Sequence, residues 1–423
     1  MNYLEIIKNN LIFIFLAIAL ASSAIVPFPN GSSLYVLGLA ILFLVALYLN
    51  RKRTYKDYKY AIFYLVCILS SIGNMVFDIR LIIFGLVIFC VTPITNSSLL
   101  MKFRGKYIYT CLLIFPILSI VNLYCYFNDI NYFMLDEDYD MKLNFSGLFP
   151  HPMWLAAATG LANQVFLWLF FTYKQKRKTL LATLFLVGFI SSLYLTFIAA
   201  SRVAVIASII SFIFMLYMFA KKKKTFVKYT AISIVALLLL SPILLKVSTR
   251  MIMKFEYSEG KYGSRTEFFQ EGIDHFEDSP LLGTGYATQY IYGKRYVGRI
   301  ESGSGWLSIL FQLGIFGVIS ILLILPESYK TFKITRKTRD KKLILYESVF
   351  VFLCAHSCFE GYILTPGYYP CILFWTILGY LTAYPKFVEG GFERKYKILQ
   401  KFEFEQKLLE RRKAEYKKSI DNN

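Results

Sequence analysis

Long apolar runs alternate with short basic clusters along this chain, and one long polar stretch interrupts the alternation. A helix that crosses a bilayer needs about 20 mostly apolar residues. By that measure there are twelve runs, at 9–28, 33–50, 59–77, 80–95, 106–127, 152–173, 180–200, 203–220, 228–246, 304–325, 343–363 and 368–384. RKRTYKDYK follows the second run, TNSSLLMKFRGK the fourth, KQKRK the sixth, KKKK the eighth and ESYKTFKITRKTRDKK the tenth. Basic residues gather in cytoplasmic loops, so loops after even-numbered runs are assigned to the cytoplasm and loops after odd-numbered runs to the outside. Both termini are then cytoplasmic. The fourth run is the shortest and ends in VTPITNSS.

The predicted fold class is an all-α polytopic membrane protein of about twelve transmembrane helices, with one long external loop between helices nine and ten. Residues 1–384 form a single transmembrane bundle. Residues 385–423 form a cytoplasmic basic helical tail, with Gly390-Gly391 as its hinge and lysines and arginines on its polar face.

Composition narrows this further. The chain is 57% hydrophobic and 18% aromatic, against about 45–50% apolar for an ordinary soluble domain. Its net charge of +20 sits in clusters between apolar runs, which points to membrane anchoring and away from nucleic acid. The seven cysteines form no Cys-x-x-Cys pair and none lies in the long loop, so neither disulfides nor zinc are indicated. No cofactor or metal is expected. The first run lacks a small-residue cleavage pattern and leads directly into the second, so it reads as a retained helix.

Candidate chemistry collects on the predicted outer side. The external loop 247–303 carries Arg250, Lys254, Lys261, Arg265, Lys294, Arg295 and Arg299, an excess of positive charge where the positive-inside pattern does not place it. Guanidinium groups hold phosphate oxygens in a planar, bidentate way; long external loops also translocate largely regardless of charge. Within the loop, SRTEFFQEGIDHF predicts a helix from Ser264 to Phe276, ended by Asp-Ser-Pro and the turn Gly283-Thr-Gly285. Ser264 and Glu267 have capping-box spacing, and Arg265 lies in the first turn, where free N–H groups attract anions.

Arg202 lies in the tight turn AASR between runs seven and eight. Two roles fit it: snorkelling to lipid phosphate, or facing a cavity or partner at membrane depth. His275 and Glu301 each have an ordinary hydrogen-bonding role available besides that of general base. His356 and Glu360 are four apart in run eleven, on one predicted helix face, where an interhelical hydrogen-bonded pair serves equally well. Asp136-Glu137-Asp138 belongs to a loop that also holds Asp129 and Asp140, and reads as a solvated acidic loop rather than a metal site. His151 in SGLFPHPMWLA marks the turn into run six.

Three patterns, in order, resemble the O-antigen ligase and polymerase family of bacterial membrane glycosyltransferases. They are Ala200-Ser201-Arg202 between two helices, SRTEFFQEGIDHFEDSPLLGTG, and SGWLSILFQLGIFG opening the next helix, with GLFPHPMWLAAA as weaker support. Together they cover about 180–325. The resemblance implies a metal-independent, inverting glycosyl transfer on the outer face of the bacterial cytoplasmic membrane, from a glycan on undecaprenyl pyrophosphate. It implies that Arg202 and Arg265 hold the pyrophosphate, with Arg250, Lys254, Arg295 and Arg299 as further substrate-binding candidates. Ligases open the last motif with an external histidine. Here Gly303 stands at that place, between Ser302 and Ser304, which is closer to the polymerases that extend capsular or exopolysaccharide repeat units. The base is unassigned, with Glu301, His275 and Glu360 as candidates. The expected partners are the lipid-linked glycan, the bilayer, and a chain-length regulator and flippase of the same pathway. A ligase is the alternative within the same chemistry, and a lipid-linked oligosaccharide flippase the alternative from another class.

Overall fold

The computed structural model describes residues 5, 9–50, 57–133, 145–220, 222, 224–231, 264–291, 293–298, 303–389, 405–406 and 408–410; the side chains of 264–268, 291 and 389 lie outside that description. In chain order the elements are α1 (Asn10–Ser22), α2 (Gly31–Leu49), α3 (Tyr58–Gly73), α4 (Ile79–Val91), α5 (Ser98–Phe127), α6 (Pro152–Gln175), α7 (Thr179–Ile198), α8 (Arg202–Phe219), α9 (Ser264–Asp278), β1 (Thr288–Ile291), β2 (Lys294–Val297), α10 (Gly305–Thr338), α11 (Lys341–His356) and α12 (Tyr369–Glu389). Seven of these helices are long and apolar enough to cross a membrane, and α1, α3 and α4 are shorter apolar helices. The protein is an all-α polytopic membrane protein.

The helices start where a side chain satisfies the free N–H groups of the first turn. Asp57, Asp78, Ser97, His151, Ser201, Ser304 and Asp340 each accept such a bond. Among the candidate spans, α6 has the most buried apolar stretch. Its small residues Ala156, Ala157, Ala158 and Gly160 are buried, and a side chain at Gly160 would strike the Phe352 ring of α11. Small residues let helices approach closely where no water drives association. Ile206, Ile209, Ile210 and Ile213 of α8 and Ile319, Leu322 and Leu323 of α10 point out of the bundle. Helices apolar on all sides suit a lipid surround.

Hydrogen bonds sort the connections into two ends. At the basic end, Ser97 Oγ donates to Leu49 O (2.7 Å), Asp57 N to Pro93 O (3.1 Å) and Trp168 Nε1 to Lys341 O (2.5 Å), and Lys59 pairs with Glu327 at 2.8 Å. At the opposite end, which carries the β1–β2 hairpin, Val26 N donates to Leu148 O (2.9 Å), Gly305 N to Ser357 O (2.8 Å) and Asn74 Nδ2 to Gly283 O (2.9 Å). Loops following odd-numbered runs thus meet one another, as do loops following even-numbered runs.

Several boundaries move. The fourth run forms only the 13 residues of α4, and its polar ending folds back as a buried turn. The LLMKFRGK stretch, expected as a cytoplasmic connection, is the first part of α5. Its Arg104 is 2% exposed. It donates through Nε and one terminal nitrogen to Cys90 O (3.2 and 2.7 Å) and through the same terminal nitrogen to Thr95 Oγ1 (3.0 Å), closing the C-terminal end of α4. The basic stretch after run ten is helical to Thr338. His356 and Glu360 do not share a helix face, because α11 ends at His356 and Glu360 belongs to the following loop. The later part of run nine (232–246), Asp136 to Asp140, and the tail from residue 390 to 404 lie outside the described residues.

Candidate active site

The FFQEGIDHF pattern gives the expected helix, α9, with bounds two residues longer than predicted. Gly272 is where α9 meets α10: a Cβ there would enter the Phe311 ring. After α9 the chain turns at Pro280 and runs into a break in α10. Gly314 interrupts that helix with φ 66° and ψ −163°. Residues 280–285 bond four backbone groups flanking the break. Thr284 N donates to Phe311 O (2.9 Å) and Gly285 N to Gln312 O (3.2 Å); Ile315 N donates to Pro280 O (2.9 Å) and Phe316 N to Leu281 O (3.2 Å). Irregular backbone is tolerated within a membrane bundle where protein covers it. The SPLLGTG and FQLGIFG patterns, separate in sequence, therefore form one interlocked unit. Ser70 Oγ adds a bond to Gln312 O (2.6 Å) from α3.

The segment then forms a hairpin that sequence reading missed. Thr288 pairs with Val297 and Ile291 with Lys294, and Gly293 takes φ 71° in the two-residue turn. The signal was present, since TQYIYGKRYV offers aromatic and β-branched residues on either side of a glycine. Glu271 of α9 accepts from Gly293 N at 3.2 Å and holds the turn. Tyr286 is fully buried and donates to Leu364 O at 2.7 Å. Burial holds its hydroxyl pKa well above the usual phenol value, so it remains a donor at any working pH.

The candidate residues divide. Arg202 is exposed as the first residue of α8, after a turn in which Ala200 adopts φ 51° and Ser201 caps the helix. Because α7 starts and α8 finishes at the basic end, Arg202 lies at the hairpin end. Arg265 is the second residue of α9. His275 stacks on Tyr290 of β1 with ring centroids 3.5 Å apart, and its Nδ1 is 3.6 Å from Asp278 Oδ2. Arg295 donates to Asn74 O (3.0 Å) and Thr284 O (3.1 Å), tying the hairpin to the loop after α3. Glu360 adjoins the start of α10: a Cβ on Gly305 would lie 3.1 Å from Glu360 O. Arg250, Lys254, Arg299 and Glu301 lie outside the described residues. Arg80 is an addition. Its guanidinium borders Gly298, where a Cβ would be 3.1 Å from a terminal nitrogen; in the sequence it was one charge at the mouth of the weakest run.

Among the described residues no group of three or more His, Cys, Asp or Glu side chains could hold a metal ion. At this end Arg80 and Asp78 border Gly298, Arg295 ties the hairpin to the loop after α3, and the 280–285 segment is joined to α10 by backbone bonds. Residues 187–322 match the sequence model of a family described as O-antigen ligase. No curated protein matches the chain.

Proposed function

We propose that this chain, a member of the O-antigen ligase/polymerase family by its 187–322 segment, is a polysaccharide polymerase of the bacterial cytoplasmic membrane. The hairpin end faces outward and both termini face the cytoplasm, following the positive-inside pattern. An acceptor hydroxyl on an incoming lipid-linked repeat unit attacks the anomeric carbon of the growing glycan. The bond from that carbon to the pyrophosphate breaks with inversion, and undecaprenyl pyrophosphate leaves. Arg202 and Arg265 face each other across that pyrophosphate and stabilise the charge it develops, a term that often dominates catalysis. With arginine charge supplying it, the proposed transfer needs no metal. Arg250, Lys254, Arg295 and Arg299 line the anionic path, with Arg80 beside it.

The acceptor proton goes to a carboxylate or imidazole. The candidates are Glu301, His275 and Glu360; the backbone of Glu360 adjoins the start of α10. A chain-length regulator and a flippase of the same pathway act beside the protein.

The observation that supports this reading is the interlock of residues 280–285 with the break at Gly314, which joins α9 and the hairpin carrying Lys294 and Arg295 to α10. Transfer of finished glycan to another acceptor is the second reading, and the matched family's description favours it. Against it stands Gly303, flanked by serines, where a ligase-type histidine is expected. Purified protein in liposomes, given lipid-linked repeat units with and without EDTA, decides among these. A ladder of lengths that is insensitive to EDTA supports the polymerase. Unchanged glycan length, with transfer to a different acceptor or movement across the vesicle, contradicts it.

A further inference from the structure

We infer that the pocket enclosed by α9, β1 and the break in α10 is a subsite for one uncharged sugar oxygen, a hydroxyl or an acetamido carbonyl, with Gln312 as its donor; this rests on the glycan-transfer reading. Gln312 is 1% exposed and lines the pocket with His275, Thr284, Thr288, Gln289, Tyr290 and Phe311. Its Oε1 accepts from Ala287 N at 3.0 Å, which fixes the amide orientation. Its Nε2 has no hydrogen-bond partner among the described residues. A buried donor in that state calls for an oxygen.

The threonines do not compete as donors. Thr288 Oγ1 donates to Gly285 O at 2.5 Å. Thr284 Oγ1 is 2.9 Å from Thr288 Oγ1 and 3.2 Å from Phe311 O. Each hydroxyl has a single proton, so both are committed within the protein and the threonines present lone pairs. A sugar hydroxyl would accept from Gln312 and donate to a threonine, whereas a carbonyl would use Gln312 alone.

Size and charge narrow the ligand. The pocket has room for about 20 Å³, where about 10–15 Å³ holds one water; a single protruding group fits and a whole ring does not. The stacked rings of His275 and Tyr290 give the pocket a rigid aromatic side. No lysine or arginine lines the pocket, so a carboxylate would lose its hydration without a counter-charge.

The test uses full-length protein in nanodiscs and saturation-transfer NMR with glucose, N-acetylglucosamine and glucuronate as probes, alongside steady-state elongation of lipid-linked repeat units. The expected result is saturation of glucose or of the N-acetyl methyl group, which separates hydroxyl from carbonyl binding, and none of glucuronate. Gln312→Met should abolish that signal and raise the acceptor KM at least tenfold with kcat retained. Thr288→Val, which spares the amide, should weaken glucose and leave the N-acetyl signal. No signal from any probe in the native protein, equal binding of glucuronate, or native behaviour in both variants would each overturn the subsite. Probe binding that is lost in Gln312→Met, from a protein that elongates nothing, would keep the subsite and remove the polymerase.

Discussion

Gly283 and Gly314 meet backbone to backbone. A Cβ on Gly283 would lie 2.5 Å from the Gln312 carbonyl carbon and 2.6 Å from Phe311 O, and one on Gly314 would lie 2.7 Å from Gly283 N. Both residues have φ near the left-handed region, 68° and 66°. Glycine is required twice over, once for conformation and once for space.

Gly314→Ala should therefore combine backbone strain of about 1–3 kcal/mol with overpacking of about 1–3 kcal/mol. The expected outcome is a lower unfolding temperature in detergent and faster proteolysis between α9 and α10. Gly293→Ala, where a Cβ meets no atom within 4 Å, carries only the strain and should be the milder variant. Equal effects from the two would mean that the interlock adds nothing.

Arg104 makes a prediction at the opposite end. Arg104→Ala leaves Cys90 O and Thr95 Oγ1 without their buried donor, a loss of about 1–3 kcal/mol for the carbonyl alone. Thermal unfolding should shift down while elongation per folded molecule stays near native, because Arg104 is at the basic end.

The broad architecture was legible in the sequence because lipid imposes a length and composition on every spanning helix. The caps at Asp57, Asp78, Ser97 and Ser201 also rest on chemistry local to the chain, yet the sequence reading named none of them. The break at Gly314 was not legible. LFQLGIFG reads as continuous apolar helix, and what splits it is a loop thirty residues earlier in the chain supplying donors and acceptors. Arg104 was misread for a similar reason: a charge in a basic cluster looks solvated until Cys90 O is seen beside it. His356 and Glu360 kept helical spacing in the sequence, yet α11 stops between them, at Ser357. For the site, Arg202 and Arg265 were proposed from motif order, while Arg80 and Gln312 depend on contacts that no spacing records.

Orientation can be read from native Cys358, which is exposed in the loop after α11 while most other cysteines are buried. A membrane-impermeant maleimide should label it in intact cells, and should label Lys222→Cys in a Cys358→Ser background only after permeabilisation. Although the residue is exposed, its neighbours partly desolvate the Cys358 thiol and push its pKa up. The thiolate is the reacting form, so labelling should keep accelerating with pH beyond the range where an ordinary cysteine levels off. The opposite labelling pattern would invert the topology.

The central claim is that two arginines at the hairpin end stabilise a departing lipid pyrophosphate. It is tested most directly by counting undecaprenyl pyrophosphate released against repeat units joined, in native protein, Arg202→Ala and Arg265→Ala. The expected result is one released per unit joined in the native protein and at least a hundredfold loss of both products in each variant, about 2.7 kcal/mol of barrier, with unfolding temperatures unchanged. Near-native ladders from either variant would remove that arginine from the chemistry.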